Sequence, residues 1–240
     1  MSFFSRHWDT YRRVLEHDLM EHGALTAALT GTVDGWLAER GPAAPAPHAV
    51  DLGCGDLSLL PPLLRRLPLA SFTGLDLNGA VLPLAAEALG AVPYPCRFLE
   101  GDLLAWAEGE PEGPEGPEPP PVDLIFSSFA VHHLQEEGKR RFLRGCRRRI
   151  APGGLQLWAD VFRAPGEDRD TYVGRYSARV QGWSPLEPER QEEVIAHLSQ
   201  YDHPADPEWI VAEAEAAGWR WQWGWQGQHR AEALAVLRPA

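Results

Sequence analysis

Three carboxylates, a pair of glycines and two adjacent histidines are the residues of this 240-residue chain whose types and spacing could do chemistry. The run Val50-Asp51-Leu52-Gly53-Cys54-Gly55-Asp56 reads as a strand that ends in a glycine turn before a helix. Glycines there allow a tight turn and let a ligand approach main chain that a side chain would shield. Asp76 ends the next apolar segment, where a carboxylate can accept hydrogen bonds from both hydroxyls of a ribose. Asp102, in Glu100-Gly101-Asp102-Leu103, ends the third, within reach of an adenine edge. Past the fourth lies Ser127-Ser128-Phe129-Ala130-Val131-His132-His133, whose imidazoles titrate near neutrality and could take a proton from an acceptor. The same pair also fits ordinary packing at a helix start. No metal site is assigned, because Asp160, His197, Asp202 and His203 would have to converge on the pair from distant parts of the chain.

The elements that must position these residues alternate. Trp8, Tyr11, Leu15 and Leu19, then Leu25, Leu29, Val33, Trp36 and Leu37, recur at helical spacing, which predicts two helices over residues 3–40. The proline-rich linker from Gly41 to Pro47 can continue neither. After it the pattern predicts strands at 48–52, 71–76, 96–100, 122–126 and 154–161. Between them it predicts a leucine-rich helix ending near Pro68 and helices over 79–89 and 135–150. Strand–helix alternation predicts a parallel sheet covered on both faces. Residues 165–218 read as helical, and the chain closes with Trp219 to Trp225 and Ala233 to Leu237, an antiparallel edge hairpin. Trp219, Trp221, Trp223 and Trp225 fall at every second position and should line one face, for packing or for pairing with a second copy as a homodimer. The acidic, proline-rich segment 107–121 reads as a solvated loop.

Composition narrows the partners. A net charge of −12 disfavours binding to phosphate backbones, so nucleic acid is not an expected partner. The one basic run, Lys139 to Ile150, puts Leu143, Cys146 and Ile150 on one helical face and arginines on the other, a solvated face. No stretch approaches the roughly 20 apolar residues of a membrane helix. With no secretory signal and three widely spaced cysteines, the chain reads as cytoplasmic, with reduced thiols.

Taken in order, Asp51-x-Gly53-x-Gly55, Asp76-Leu77, Gly101-Asp102-Leu103, Val122-Asp123-Leu124-Ile125-Phe126 and Ala151-Pro152-Gly153-Gly154 resemble the successive motifs of class I S-adenosylmethionine-dependent methyltransferases. The resemblance covers about residues 48–163, and the terminal hairpin fits the family's last two strands. It implies an α/β fold, a doubly wound, mostly parallel seven-stranded sheet (the Rossmann-like methyltransferase fold), with S-adenosyl-L-methionine as cofactor. Asp51 and the backbone at Gly53 and Gly55 would approach the amino acid part of the cofactor, Asp76 the ribose, and Asp102 with Leu103 the adenine. Tyr11, Leu77 and Ser127 complete the implied cofactor set. One departure is Leu57, where the family turn often has a third glycine. That weakens a pyrophosphate-binding, NAD-dependent oxidoreductase more than a methyltransferase, since S-adenosylmethionine carries no pyrophosphate.

The flanks resemble the bacterial type 12 small-molecule methyltransferases, which implies a helical N-terminal lid (residues 1–40), a core (41–164 and 218–240) and a helical cap (165–217). The expected activity is in-line methyl transfer to a small-molecule acceptor, with His132 or His133 as catalytic base and Phe129, Arg163, Tyr172, Tyr176 and Trp183 around the acceptor. A synthase of S-adenosylmethionine derivatives and a non-catalytic cofactor binder are the alternatives.

Overall fold

The computed structural model describes residues 3–109 and 121–240. Most of the acidic segment read as a solvated loop lies outside them. Five strands run parallel: β1 (His48–Leu52), β2 (Ser71–Asp76), β3 (Cys96–Glu100), β4 (Val122–Ser128) and β5 (Ile150–Val161). An antiparallel pair, β6 (Trp219–Gln226) and β7 (Glu232–Pro239), completes the sheet in the order β3-β2-β1-β4-β5-β7-β6. Chain direction across the sheet reverses at β1, which pairs with both β2 and β4. The carboxyl ends of the strands open a crevice at such a switch point.

The helices follow in chain order: α1 (Phe3–Glu16), α2 (His22–Arg40), α3 (Pro61–Leu64), α4 (Leu82–Leu89), α5 (Leu103–Glu108), α6 (Glu136–Arg149), α7 (Arg169–Gln181), α8 (Pro188–Tyr201) and α9 (Pro207–Ala216). Leu25, Leu29, Val33 and Trp36 of α2 pack with Phe72, Phe126 and Leu157 in the core on one side of the sheet. Phe142, Leu143 and Cys146 of α6 pack with Ile125 and Trp158 in the core on the other. A third cluster joins Val14 of α1 to Tyr172, Tyr176 and Val180 of α7, with Trp183 and Leu198. Among the described residues, no helix is long and apolar enough to cross a membrane.

Two local expectations change, and a third gains detail. The leucine-rich segment after β1 forms only the single turn α3, with Pro61 and Pro62 at its start, where a helix does not need their missing amide donors. The arginines of α6 lie on the surface as expected but are partly paired there: Arg140 meets Glu213 at 2.9 Å, Arg141 meets Glu108 at 2.5 Å, and Arg147 donates to the Gly218 carbonyl at 2.8 Å. The four alternating indoles do not share a face. The β6–β7 register shifts between Trp223 and Trp225, so Trp221 and Trp223 pack with the α6 core while Trp225 packs with the α2 core. Gly224 makes this shift, and a Cβ there would sit 2.7 Å from the Val236 side chain.

Candidate active site

Two cavities adjoin at the carboxyl end of the sheet. The smaller, about 370 Å³, is lined by Tyr11, Asp51, Gly53, Gly55, Asp76, Leu77, Asp102 and Leu103, all predicted to hold the cofactor. Asp51 lies one residue before the end of β1 and is 2% exposed, and its Oδ1 has no hydrogen-bond partner. Burial, and then the nearby charge of Asp76, push its carboxyl up to about 7. A buried, unpartnered carboxylate oxygen calls for a donor from outside the chain, and an ammonium group is one. Gly53 stands at φ +80°, where a Cβ would come 2.4 Å from the Ala130 Cβ, so only glycine keeps the crevice floor low.

Asp76 is fixed by two backbone amides: Gly55 donates to Oδ2 at 2.8 Å and Asn78 to Oδ1 at 2.9 Å. A carboxylate has roughly four acceptor positions, so one on each oxygen remains, the number two ribose hydroxyls require. Asp102 caps α5, its Oδ1 accepting from the amides of Leu104 and Ala105, both at 2.8 Å. Burial first, and then Asp56 and Asp51, hold the Tyr11 hydroxyl above its ordinary value and therefore neutral.

Ser127 is a correction. Its side chain is fully buried and its hydroxyl donates to the Leu52 carbonyl at 2.8 Å, tying β4 to β1, so it does not line the cavity. Its neighbour Ser128 does, with a buried Oγ lacking a partner. The sequence offered both serines, and only the end of the strand decides which one faces the crevice.

The larger cavity, about 830 Å³, lies against α1, α7 and α8. Tyr11, Leu77, Phe129 and His133 border both cavities. Phe129 is held at φ +52° just past β4, a strained conformation for a residue with a side chain. Tyr172, Tyr176 and Trp183 line the larger cavity as expected. Tyr176 spends its hydroxyl on Glu232 at 2.7 Å, whereas the buried Tyr172 hydroxyl has no hydrogen-bond partner. Arg163 is a second correction. Its amide pairs with the Ala205 carbonyl at 3.0 Å, and its charge acts on Lys139 and Glu167 instead of lining the cavity. His22 was not singled out and belongs here: it lines the cavity, 4% exposed, with neither ring nitrogen hydrogen-bonded and its pKa lowered to about 4 by burial. Its signal was its position next to the lid-like helix α1.

The histidines sit in a denser cluster than the sequence suggested. His132 Nδ1 meets Asp160 Oδ1 at 2.5 Å, and Asp160 also accepts from the Trp158 indole at 2.8 Å and from two backbone amides. Burial alone would raise Asp160, but His132 and these donors outweigh it and hold the carboxyl low. Asp202, expected to be distant, converges on the pair: its Oδ1 lies 3.5 Å from His132 Nε2 and 3.7 Å from His133 Nδ1. His197 Nε2 stands 3.7 Å from the same oxygen, and the His203 amide donates to the His132 carbonyl at 2.8 Å. With its Nδ1 committed to Asp160 and its Nε2 turned to Asp202, His132 has no ring nitrogen directed at an acceptor. The expected role of general base is not supported for it.

Residues 50–156 match a family model described as "Methyltransferase domain". Among curated proteins, trans-aconitate 2-methyltransferase of Paracidovorax citrulli (strain AAC00-1) is 33% identical over 119 residues, half of this chain. The chain matches only 40% of that relative's length. Among solved structures, magnesium protoporphyrin IX methyltransferase from Synechocystis PCC 6803 with bound SAH superposes with a TM-score of 0.60 at 15% identity. The alignment covers 98% of this chain and 94% of that one. Mitomycin 7-O-methyltransferase aligns at a TM-score of 0.58 and 20% identity, over all of this chain and 61% of its own. The seven-stranded sheet is the one these structures share.

Proposed function

We infer that this chain, whose residues 50–156 match a methyltransferase-domain model, is a class I S-adenosylmethionine-dependent methyltransferase that transfers a methyl group to a small, uncharged and largely apolar acceptor. The observation that carries this reading is the pair of adjoining cavities with Tyr11, Leu77, Phe129 and His133 as their common wall. S-adenosylmethionine, when bound, supplies an electrophilic methyl on its sulfonium. Asp51 would hold its amino group, Asp76 its ribose hydroxyls, and Asp102 with Leu103 its adenine. The common wall would then align donor and acceptor and exclude water, which is most of what an in-line transfer requires. His133 meets the acceptor there, and the Tyr172 hydroxyl orients it.

The acceptor class follows from charge. Among the described residues, neither arginine nor lysine lines the larger cavity, while Glu193 and Asp202 do. An aconitate carries several negative charges, and beside those two carboxylates the wall offers it histidines but no arginine or lysine to pair with. This chain is therefore read as having a different acceptor from its curated relatives. Helix α1 would act as the lid, and α7 and α8 as the part of the cap that makes the acceptor wall, while α2 packs on the sheet and α9 on the α6 core. The net charge of −12 supports an acceptor other than nucleic acid. Three free thiols support a reducing compartment, the cytoplasm.

Calorimetric titration with S-adenosylmethionine and S-adenosylhomocysteine, with NAD as control ligand, tests the cofactor. Micromolar binding of the first two alone is expected, and NAD binding alone overturns the reading. An acceptor panel of neutral phenols and amines beside trans-aconitate tests the rest. Turnover restricted to trans-aconitate refutes the charge argument, and Tyr172→Phe should raise the acceptor KM with cofactor affinity unchanged.

A further inference from the structure

We propose that His132, His133 and Asp202, completed by a side-chain rotation of the neighbouring His197, form a four-donor site for a borderline divalent cation of the Zn²⁺ type, clamping α8 to the turn that follows β4. The nitrogen and oxygen donors of His132, His133 and Asp202 all lie within 4.8 Å of one another. Three imidazole nitrogens surround a single carboxylate oxygen, Asp202 Oδ1, at 3.5, 3.7 and 3.7 Å. These separations are too long for hydrogen bonds. They are close to the ~3.4 Å that separates neighbouring ligands of a tetrahedral zinc with bonds of about 2.0–2.1 Å.

The surroundings are those of a ligand set. His132 gives its Nδ1 to Asp160, and the Trp158 indole and two backbone amides hold that carboxylate in turn. This fixes the ring so that Nε2 presents its lone pair to Asp202, as outer carboxylates do for metal-bound imidazoles. The His133 ring is likewise oriented, by a hydrogen bond with the backbone of Tyr201. Asp202 is 8% exposed and its Oδ1 has no hydrogen-bond partner. Three imidazole nitrogens gathered about a buried carboxylate oxygen call for positive charge shared between them. Three nitrogens and one oxygen favour Zn²⁺ and disfavour Mg²⁺ or Ca²⁺, which prefer oxygen-rich shells.

The site joins two parts of the chain that a backbone hydrogen bond, from the His203 amide to the His132 carbonyl, also links. His132 and His133 sit on the short turn after β4, His197 lies on the last turns of α8, and Asp202 caps that helix. A cation would therefore fix one wall of the larger cavity. Its four protein ligands leave no open coordination position, so the role is one of structure and not of chemistry.

The test uses the full chain, stripped with a chelator and titrated calorimetrically with Zn²⁺, and separately with Mg²⁺. One Zn²⁺ per chain with micromolar or tighter affinity is expected, with a rise in Tm and no Mg²⁺ binding. Co²⁺ in its place should give the intense visible absorption of a four-coordinate ion. His133→Ala and His197→Ala, both at partly exposed positions, should each weaken Zn²⁺ at least tenfold while unfolding remains cooperative. Absence of one-to-one binding, unchanged affinity in both variants, or the faint absorption of six-coordinate Co²⁺ overturns the site and leaves a proton as what the cluster shares. S-adenosylhomocysteine titrated into the same chelated sample reads the cofactor site independently, so failure of one reading does not disguise failure of the other.

Discussion

Replacing Asp76 by asparagine removes charge and one acceptor while preserving shape. Each carboxylate oxygen already accepts one backbone amide, from Gly55 at 2.8 Å and from Asn78 at 2.9 Å. In the variant the new NH₂ faces one of those amides, donor against donor, and offers nothing to the hydroxyl on its side. One charge-assisted hydrogen bond, about 1.5–3 kcal/mol, is lost outright and the other loses its charge. The sum is about 3 kcal/mol, or a Kd roughly 100-fold weaker at 1.4 kcal/mol per tenfold. S-adenosylhomocysteine titrated calorimetrically into Asp76→Asn and the parent chain reads this directly, with thermal unfolding as the control for the loop the carboxylate braces. A loss of less than about fivefold in a cooperatively folded variant would refute the assignment of Asp76 to the ribose.

The Asp51 carboxyl, pushed up to about 7, gives the ligand-free protein a contribution to stability that is complete below the ordinary carboxylate range and is lost as pH rises through 7. Cofactor affinity should move oppositely, strengthening from pH 6 to pH 8, and Asp51→Asn should raise the ligand-free Tm at pH 8 while flattening that affinity profile. Gly53→Ala sets a Cβ 2.4 Å from Ala130 at φ +80° and should cost about 1–3 kcal/mol or more in urea unfolding, together with cofactor affinity. Glu232 is buried and bonded to Tyr176 at 2.7 Å and to Arg179 at 2.7 and 2.8 Å. Glu232→Ala leaves Arg179 with only Glu21 at 4.0 Å and the Leu19 carbonyl, and the Tyr176 hydroxyl without its acceptor, and should cost about 3 kcal/mol, measured by denaturant unfolding.

The sheet and the smaller cavity were legible because their signals are local. Short apolar strands with an aspartate at or within two residues of the carboxyl end mark both the element and the residue at that end, so Asp51, Asp76 and Asp102 meet once the strands lie parallel. The misreadings come from information that adjacent residues do not carry. Which of Ser127 and Ser128 faces the crevice depends on the side chain's sense at the strand end. Arg163 leaves the cavity because of its pairing with Ala205, far along the chain. Asp202 and His197 reach His132 only through the packing of α8, and no spacing rule connects residues separated by three helices and a strand.

The shift at Gly224 also bears on how copies of this chain can meet. Strand β6 is one edge of the sheet, and an edge offers unpaired amides and carbonyls to any strand laid beside it. A second hairpin docking there would fall out of phase with the ladder beyond Trp223, because the bulge inserts a residue the newcomer would have to match. The residue that sends Trp225 into the opposite core therefore also shortens the surface along which one sheet could grow into another.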